Sequence, residues 1–187
     1  VTAAEYNPDA GIVLFERSSK LLSKLLVSGG GRCNGTHACP DNTLLVQNYP
    51  RGGKELRSAF SQFSVPDTIN WFGKRGIKLK TEADGRMFPV TDSSQTIADC
   101  LIDSARQAGV RIVTGTGIQA IEPRLPGFEL ISQKGSLGIF DKLLIAAGGG
   151  PDINSYRWLA SLAPAIVPPV PSLFTFNIAD KTLHALT

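Results

Sequence analysis

The sequence is poor in the residues that most often announce chemistry: three cysteines, two histidines, two tryptophans and one methionine in 187 residues. Cys33, Cys39 and Cys100 form no C-x-x-C pair and are odd in number. That argues against a secreted disulfide framework and for a reducing compartment. Cys33, His37 and Cys39 imitate metal-ligand spacing, but His184 is the only other histidine and no fourth ligand is evident, so no metal is expected. No apolar run reaches the roughly 20 residues of a membrane-spanning helix, so a soluble protein without membrane association is expected. Lysine and arginine form no block, and a net charge of +3 gives a nucleic-acid groove no motive. There is no Ser-His-Asp arrangement and no defensible pair of catalytic carboxylates, so no catalytic residue is assigned. The chain opens on Val1 with neither an initiator methionine nor a charged-then-apolar leader. It reads as an interior piece of a longer protein.

Glycine is plentiful, with 19 residues, and three of them are consecutive in Lys24-Leu25-Leu26-Val27-Ser28-Gly29-Gly30-Gly31-Arg32-Cys33-Asn34. Three glycines give the backbone freedom to bring main-chain N–H groups close to a ligand. Arg32 adds a fork of donors suited to phosphate, and the apolar run 25–27 is expected to anchor the turn on the core. A nucleoside-triphosphate loop is the strongest competitor, but Arg32-Cys33 stands where Mg-nucleotide chemistry needs lysine and a hydroxyl. Beside Arg32, the Cys33 thiol is either a nucleophile of lowered pKa or a small residue packed beneath the loop, and packing is favoured because no base accompanies it.

Around this loop the pattern alternates between helix and strand. Residues 1–7 read as a helix end broken by Pro8. Ile12-Val13-Leu14-Phe15 reads as a strand buried on both faces and ending in Glu16. In a dinucleotide-binding βαβ unit an acid at that strand end meets the adenosine ribose, about 20 residues after a glycine fingerprint. Here that fingerprint would precede Val1; alternatively Glu16 caps the strand or pairs with Arg17. Helices are expected over 54–63 and from Pro66 onward, followed by a hairpin with Asp84-Gly85 at its tip. A helix capped by Asp92-Ser93-Ser94 should run to Gln107 and stop at Gly109, with Ile97, Leu101, Ala105 and Ala108 on its apolar side. A strand at 110–113 and an antiparallel meander over 118–140 follow. A buried core strand at 143–146 should then open onto Ala147-Gly148-Gly149, where small residues let a ligand lie against the backbone. Residues 156–162 read as a short helix and 164–171 as a proline-dense linker. The fold class is α/β, a Rossmann-like sheet with an antiparallel meander, truncated at both ends. Residues 1–163 form a partial dinucleotide-binding domain, and 164–187 form a linker and the start of a second, inserted domain.

The segment from Phe15-Glu16-Arg17 through the loop 24–34, then Asp84-Gly85-Arg86-Met87-Phe88-Pro89, residues 143–149 and Pro168-Pro169-Val170-Pro171-Ser172-Leu173 occur in the order and wording of one family. In these stretches the chain resembles the BaiN-like flavoproteins, also described as aminoacetone-oxidase-family or NAD(P)/FAD-dependent oxidoreductases. The resemblance implies a Rossmann domain holding FAD, with NAD(P)H as candidate electron donor and a small-molecule substrate. It carries cofactor contact onto Glu16, Arg17, Lys24, Ser28, Gly29, Gly30, Gly31, Arg32, Cys33 and Asn34. It extends to Ile118, whose backbone would meet the adenine, and to Ala147, Gly148 and Gly149. Arg86 to Pro89 would lie toward the flavin side. Gly35 and His37 depart from the family's usual apolar residue and asparagine, and the loop after Gly149 is shortened. The upstream G-x-G-x-x-G and the C-terminal flavin-binding segment are absent from the sequence, so the isolated chain is expected to be inactive and to bind FAD poorly. The wording near 48–53 and 172–177 resembles cyanobacterial or plastid members, which fits a bacterial cytoplasm or, alternatively, a chloroplast stroma. The alternative function is a non-catalytic Rossmann-like module that binds a nucleotide or a partner.

Overall fold

A computed structural model describes residues 1–150, 152–162 and 166–168. In chain order the first elements are α1 (Thr2–Tyr6), β1 (Val13–Phe15), α2 (Ser23–Val27) and a 3-10 turn (Ser28–Gly31). Next come β2 (Thr36–His37), α3 (Asn42–Gln47), α4 (Gly53–Gln62), α5 (Val65–Gly73), β3 (Leu79–Thr81) and β4 (Arg86–Pro89). The chain continues with α6 (Ser94–Gln107), β5 (Arg111–Val113), β6 (Ile118–Pro123), β7 (Phe128–Ser132) and β8 (Gly135–Phe140), and then a second 3-10 turn (Ile153–Leu159). Two compact units divide it, Val1–Thr116 and Gly117–Thr187.

In the first unit β1 and β5 pair in parallel, Val13 opposite Arg111 and Phe15 opposite Val113. Parallel neighbours need a crossover, and α6 ends it: Ala105 and Val110 pack with Ala4 of α1, flanked by Ile12, Ala108 and Ile112. The positive φ of Gly109 (76°) stops the helix there. Within the same crossover, β2, β4 and β3 form a small antiparallel sheet. A second cluster gathers Cys33, Phe72 and Ile97, with Leu25, Trp71, Ile77, Leu79, Cys100 and Leu101 around it. Burying side chains of this size contributes about 1.5–3 kcal/mol each, so the glycine loop is fastened to a core by Cys33. Arg75 ties α5 to both neighbours. It donates to the Trp71 carbonyl (3.0 Å) and the Ser104 hydroxyl (3.1 Å), and it pairs with Glu5 (2.5 Å). Burial pushes the Cys100 thiol above its ordinary range.

The second unit is the expected meander, β6-β7-β8 antiparallel throughout. Ile121 and Leu130 are its buried centre. The Ser161 hydroxyl donates to the Ile121 carbonyl and ties the second 3-10 turn to β6.

Several expectations are corrected. Leu14 is 43% exposed, so β1 is not buried on both faces; only β5 pairs with it among the described residues. Residues 143–146 form no strand, and Leu144 is 88% exposed. An apolar run becomes a core strand only with a neighbour to complete its hydrogen bonds, and none is placed beside it among the described residues. Val27 is 75% exposed and anchors nothing, while Leu25 alone of the run 25–27 joins the Cys33 cluster. Phe63, the last residue of the helix expected over 54–63, is instead the half-exposed C-cap of α4. Several elements went unforeseen, among them α2, β2 (only two residues long) and α3, whose start Asp41 caps by accepting from the Thr43 and Leu44 amides. Of the expected linker 164–171 only 166–168 are described, and Leu173 onward lies outside the described residues.

Candidate functional site

The glycine loop occupies the turn between α2 and β2. Ser28 ends α2 by donating its hydroxyl to the Leu25 carbonyl at 2.7 Å. Gly29 (φ 57°, ψ 33°) and Gly30 (φ 66°, ψ 35°) then adopt the left-handed helical conformation. Gly31 (φ 82°) and Cys33 (φ 60°) also have positive φ. Four of the five residues 29–33 therefore lie where L side chains are strained. Glycine meets that demand at three of them, and burial of Cys33 (5% exposed) holds the fourth. Two of the loop's amides are used internally, Arg32 N–H on the Gly29 carbonyl (3.4 Å) and Cys33 N–H on the Ser28 carbonyl (3.0 Å).

The two sides of the loop differ. A Cβ built on Gly29 would lie 2.9 Å from the Phe88 ring and 2.9 Å from the Asn34 amide nitrogen, whereas one on Gly30 meets nothing within 4 Å. The underside is packed and the crest is open. Phe88, on β4, is fully buried, and β4 is bonded to the strand that leaves the loop through Thr36–Met87 and His37–Arg86 pairing. From the other side Ser94 of α6, buried, donates to the Leu26 carbonyl at 2.7 Å. Ser94 was expected as a cap and instead ties α6 to α2; the helix N-cap is Ser93, without a capping side-chain bond.

Arg32 was expected to offer its fork to phosphate. In the fold its Nη1 is 2.5 Å from Glu82 Oε1 and 3.7 Å from Asp92 Oδ1, and the guanidinium lies 4.0 Å from the Phe88 ring centroid. Each acid has a second cation: Arg86 is 3.8 Å from Glu82, and Lys80 pairs with Asp92. Arg86 also holds Asp84 at 2.7 Å. The Glu82 hydrogen bond holds the Arg32 pKa above its ordinary value. Lys80, with Arg32 adding its charge, draws the Asp92 carboxyl below the usual carboxylate range, and the Arg86 amide and side chain do the same to Asp84.

These depressed carboxylates fix the sign of a pH dependence. The unfolded chain binds their protons more readily than the folded one, so their stabilisation is complete above the ordinary aspartate pKa of about 3.9. It is lost as pH falls through the depressed folded values. Acid titration followed by circular dichroism should show stability falling below about pH 4, with a shallower fall in Asp92→Asn.

The remaining residues are distributed as follows. Glu16 ends β1, and its carboxylate accepts the Ser18 amide at 2.7 Å, closing the turn after the strand. Arg17 and Lys24 are exposed, as is Asn34. All of these, with the loop, belong to the first unit. Ile118, opposite Ser132, opens β6 in the second unit. That unit also carries Ala147, Gly148 (φ 72°) and Gly149 on an exposed stretch that is neither helix nor strand. The next residue, Gly150, donates its amide to the Tyr156 hydroxyl at 2.8 Å. Glu82, Phe88 and Asp92 escaped sequence reasoning as loop partners. Among the described residues no cluster of three or more His, Cys, Asp or Glu is arranged to hold a metal, and no helix is long and apolar enough to cross a membrane.

A parallel strand pair joined by a long crossover, with a left-handed glycine turn near its start, defines an α/β domain of the Rossmann class. The chain belongs to the family described as the HI0933-like protein Rossmann domain, whose model matches residues 1–170. It is 26% identical over 184 residues to a 3-dehydro-bile acid delta(4,6)-reductase of Clostridium scindens, covering 95% of this chain and 44% of that protein. It is 30% identical over 181 residues to a ribosomal RNA dihydrouridine synthase of Escherichia coli, covering 94% of this chain and 44% of the relative. A protein of the same name from Haemophilus influenzae is 26% identical over 188 residues, covering 94% and 46%. The chain thus spans less than half the length of these curated relatives.

Proposed function

We propose that this chain is the FAD-binding Rossmann part of a flavin-dependent oxidoreductase, with residues 1–163 forming that part and 164–187 leading into a further domain. The observation that carries this proposal is the two-sided glycine loop. Its underside has no room for a methyl group beside Phe88, while its crest at Gly30 is open. An open run of left-handed backbone lets a diphosphate come within hydrogen-bonding reach of main-chain amides. Its shape fits a dinucleotide. Charge at the loop is balanced, because Glu82 and Asp92 already face Arg32, so the backbone is the diphosphate ligand and Arg32 supports it. Glu16, at the carboxyl end of a parallel strand, is the ribose contact. Bound FAD supplies the electron transfer that no side chain of the chain offers.

The relatives' names, a delta(4,6)-reductase and dihydrouridine synthases, both denote saturation of a carbon–carbon double bond. We therefore assign reduction of an activated double bond in a small molecule, with NAD(P)H as electron donor, in a bacterial cytoplasm. A second reading, in which the reduced group is a uracil base in RNA, is favoured by the two dihydrouridine synthases among the relatives. The small net charge of +3, without a basic stripe, places it second.

The test is NAD(P)H oxidation by the full-length protein carrying this chain, offered a panel of conjugated enones or a uridine-rich RNA. Turnover with enones supports the first reading, and turnover with RNA alone supports the second. A protein that neither takes up FAD nor is stabilised by it overturns both, leaving the non-catalytic module.

A further inference from the structure

We infer that Glu82 and Asp92 are positioning residues of the glycine loop, acting through Arg32 to hold the left-handed backbone in the shape that receives a diphosphate. The inference rests on the flavin reading above for its ligand, but its structural basis is independent of it. Arg32 is fixed by three groups outside the loop. Glu82 stands 2.5 Å and Asp92 3.7 Å from the same Nη1, and the Phe88 ring lies 4.0 Å beneath the guanidinium. Atom Cε1 of the same ring is what a Gly29 side chain would strike. Phe88 therefore touches the loop at its first glycine and, through Arg32, near its end. Neither acid is held by Arg32 alone, since Arg86 lies 3.8 Å from Glu82 and Lys80 pairs with Asp92. The anchor point is thus built into the β3–β4 turn and the approach to α6.

Magnitude separates positioning from bulk stability. The Arg32 and Glu82 side chains are 33% and 28% exposed, and that of Asp92 is 43% exposed. Pairs this accessible add little to the whole fold, so removing one leaves the fold standing. The loop is more sensitive, because four residues in five carry positive φ and their preference for this geometry over other backbone states is small. Loss of an anchor therefore appears as local disorder at 28–34 and not as global unfolding.

The experiment uses the full-length protein, stripped of flavin, as parent, Glu82→Gln, Glu82→Asp and Asp92→Asn. Hydrogen exchange of the peptide covering 28–34 reads the loop without ligand, FAD titration reads the site, and apo thermal unfolding reads the fold. In Glu82→Gln the loop peptide is expected to exchange faster while peptides of β6–β8 do not change. Its FAD Kd is expected to rise about tenfold, equivalent to about 1.4 kcal/mol. Its apo Tm should fall by no more than a few degrees. Glu82→Asp should restore most of the affinity, and Asp92→Asn should give a smaller loss, as its longer distance requires. Unchanged loop exchange in both Glu82→Gln and Asp92→Asn overturns the inference whatever flavin does. So does FAD bound as tightly as, or more tightly than, in the parent, which would make Glu82 a competitor for Arg32 instead of its support. Should Glu82→Gln unfold globally, Asp92→Asn gives the same two readouts. A parent that takes no FAD refutes the flavin reading alone, and the exchange result still decides the inference.

Discussion

Gly29→Ala is expected to lower the unfolding free energy by about 2–5 kcal/mol and to abolish flavin retention, whereas Gly30→Ala, one residue on, costs the fold only the left-handed term of about 1–2 kcal/mol and weakens flavin retention by placing its methyl on the open crest. Both positions have positive φ, 57° and 66°, so each alanine incurs the left-handed cost of about 1–2 kcal/mol. Only Gly29 adds a steric term. Its new methyl would lie 2.9 Å from the Phe88 ring and 2.9 Å from the Asn34 backbone nitrogen. Phe88 is fully buried and Asn34 N belongs to the main chain, so neither can step aside without moving β4 or the loop. Overpacking of that kind costs about 1–3 kcal/mol. Urea unfolding with an unchanged m-value reads the difference, and equal losses in the two variants would mean that the underside is not a packed surface.

The second large effect is Phe88→Ala, with an expected loss of about 3–5 kcal/mol, the usual range for deleting a buried aromatic. The ring is 0% exposed and supports two things at once, the Gly29 backbone and the Arg32 guanidinium. Phe88→Leu refills part of the volume but removes the ring face, so it should recover packing while losing the cation–π contribution of about 0.5–1 kcal/mol. The parent, Phe88→Leu, Arg32→Met and the double variant Phe88→Leu/Arg32→Met together isolate that term as a double-mutant cycle. A Phe88→Ala protein as stable as the parent would mean that the crossover sheet is not part of the core.

How much of this was readable beforehand follows from the range of each interaction. Helix α6 was legible because its signals are local: serines at its start, Ile97, Leu101 and Ala105 at helical spacing, and Gly109 past its end. The hairpin announced itself through Asp84-Gly85. The packing role of Cys33 also followed, from the absence of any base beside it. The partners of Arg32 did not, because Glu82 is 50 residues away in sequence and a guanidinium reads the same whether it faces a phosphate or a carboxylate. Strand β2 is too short to show a period. The run 143–146 misled for the opposite reason: its composition suits a buried strand, but pairing depends on a neighbour that composition cannot supply. Asp92 looked like a helix cap because aspartate before serine is one, yet its side chain serves Lys80 and Arg32 instead.

The central claim is that the loop at 28–34 receives FAD, and the visible spectrum of the full-length protein after FAD addition and desalting tests it most directly. The account predicts a yellow protein with one flavin per chain in the parent, weakened flavin retention in Gly30→Ala and a colourless protein in Gly29→Ala. A parent that emerges colourless and unstabilised by FAD, or a Gly29→Ala variant that retains flavin as fully as the parent, would contradict it.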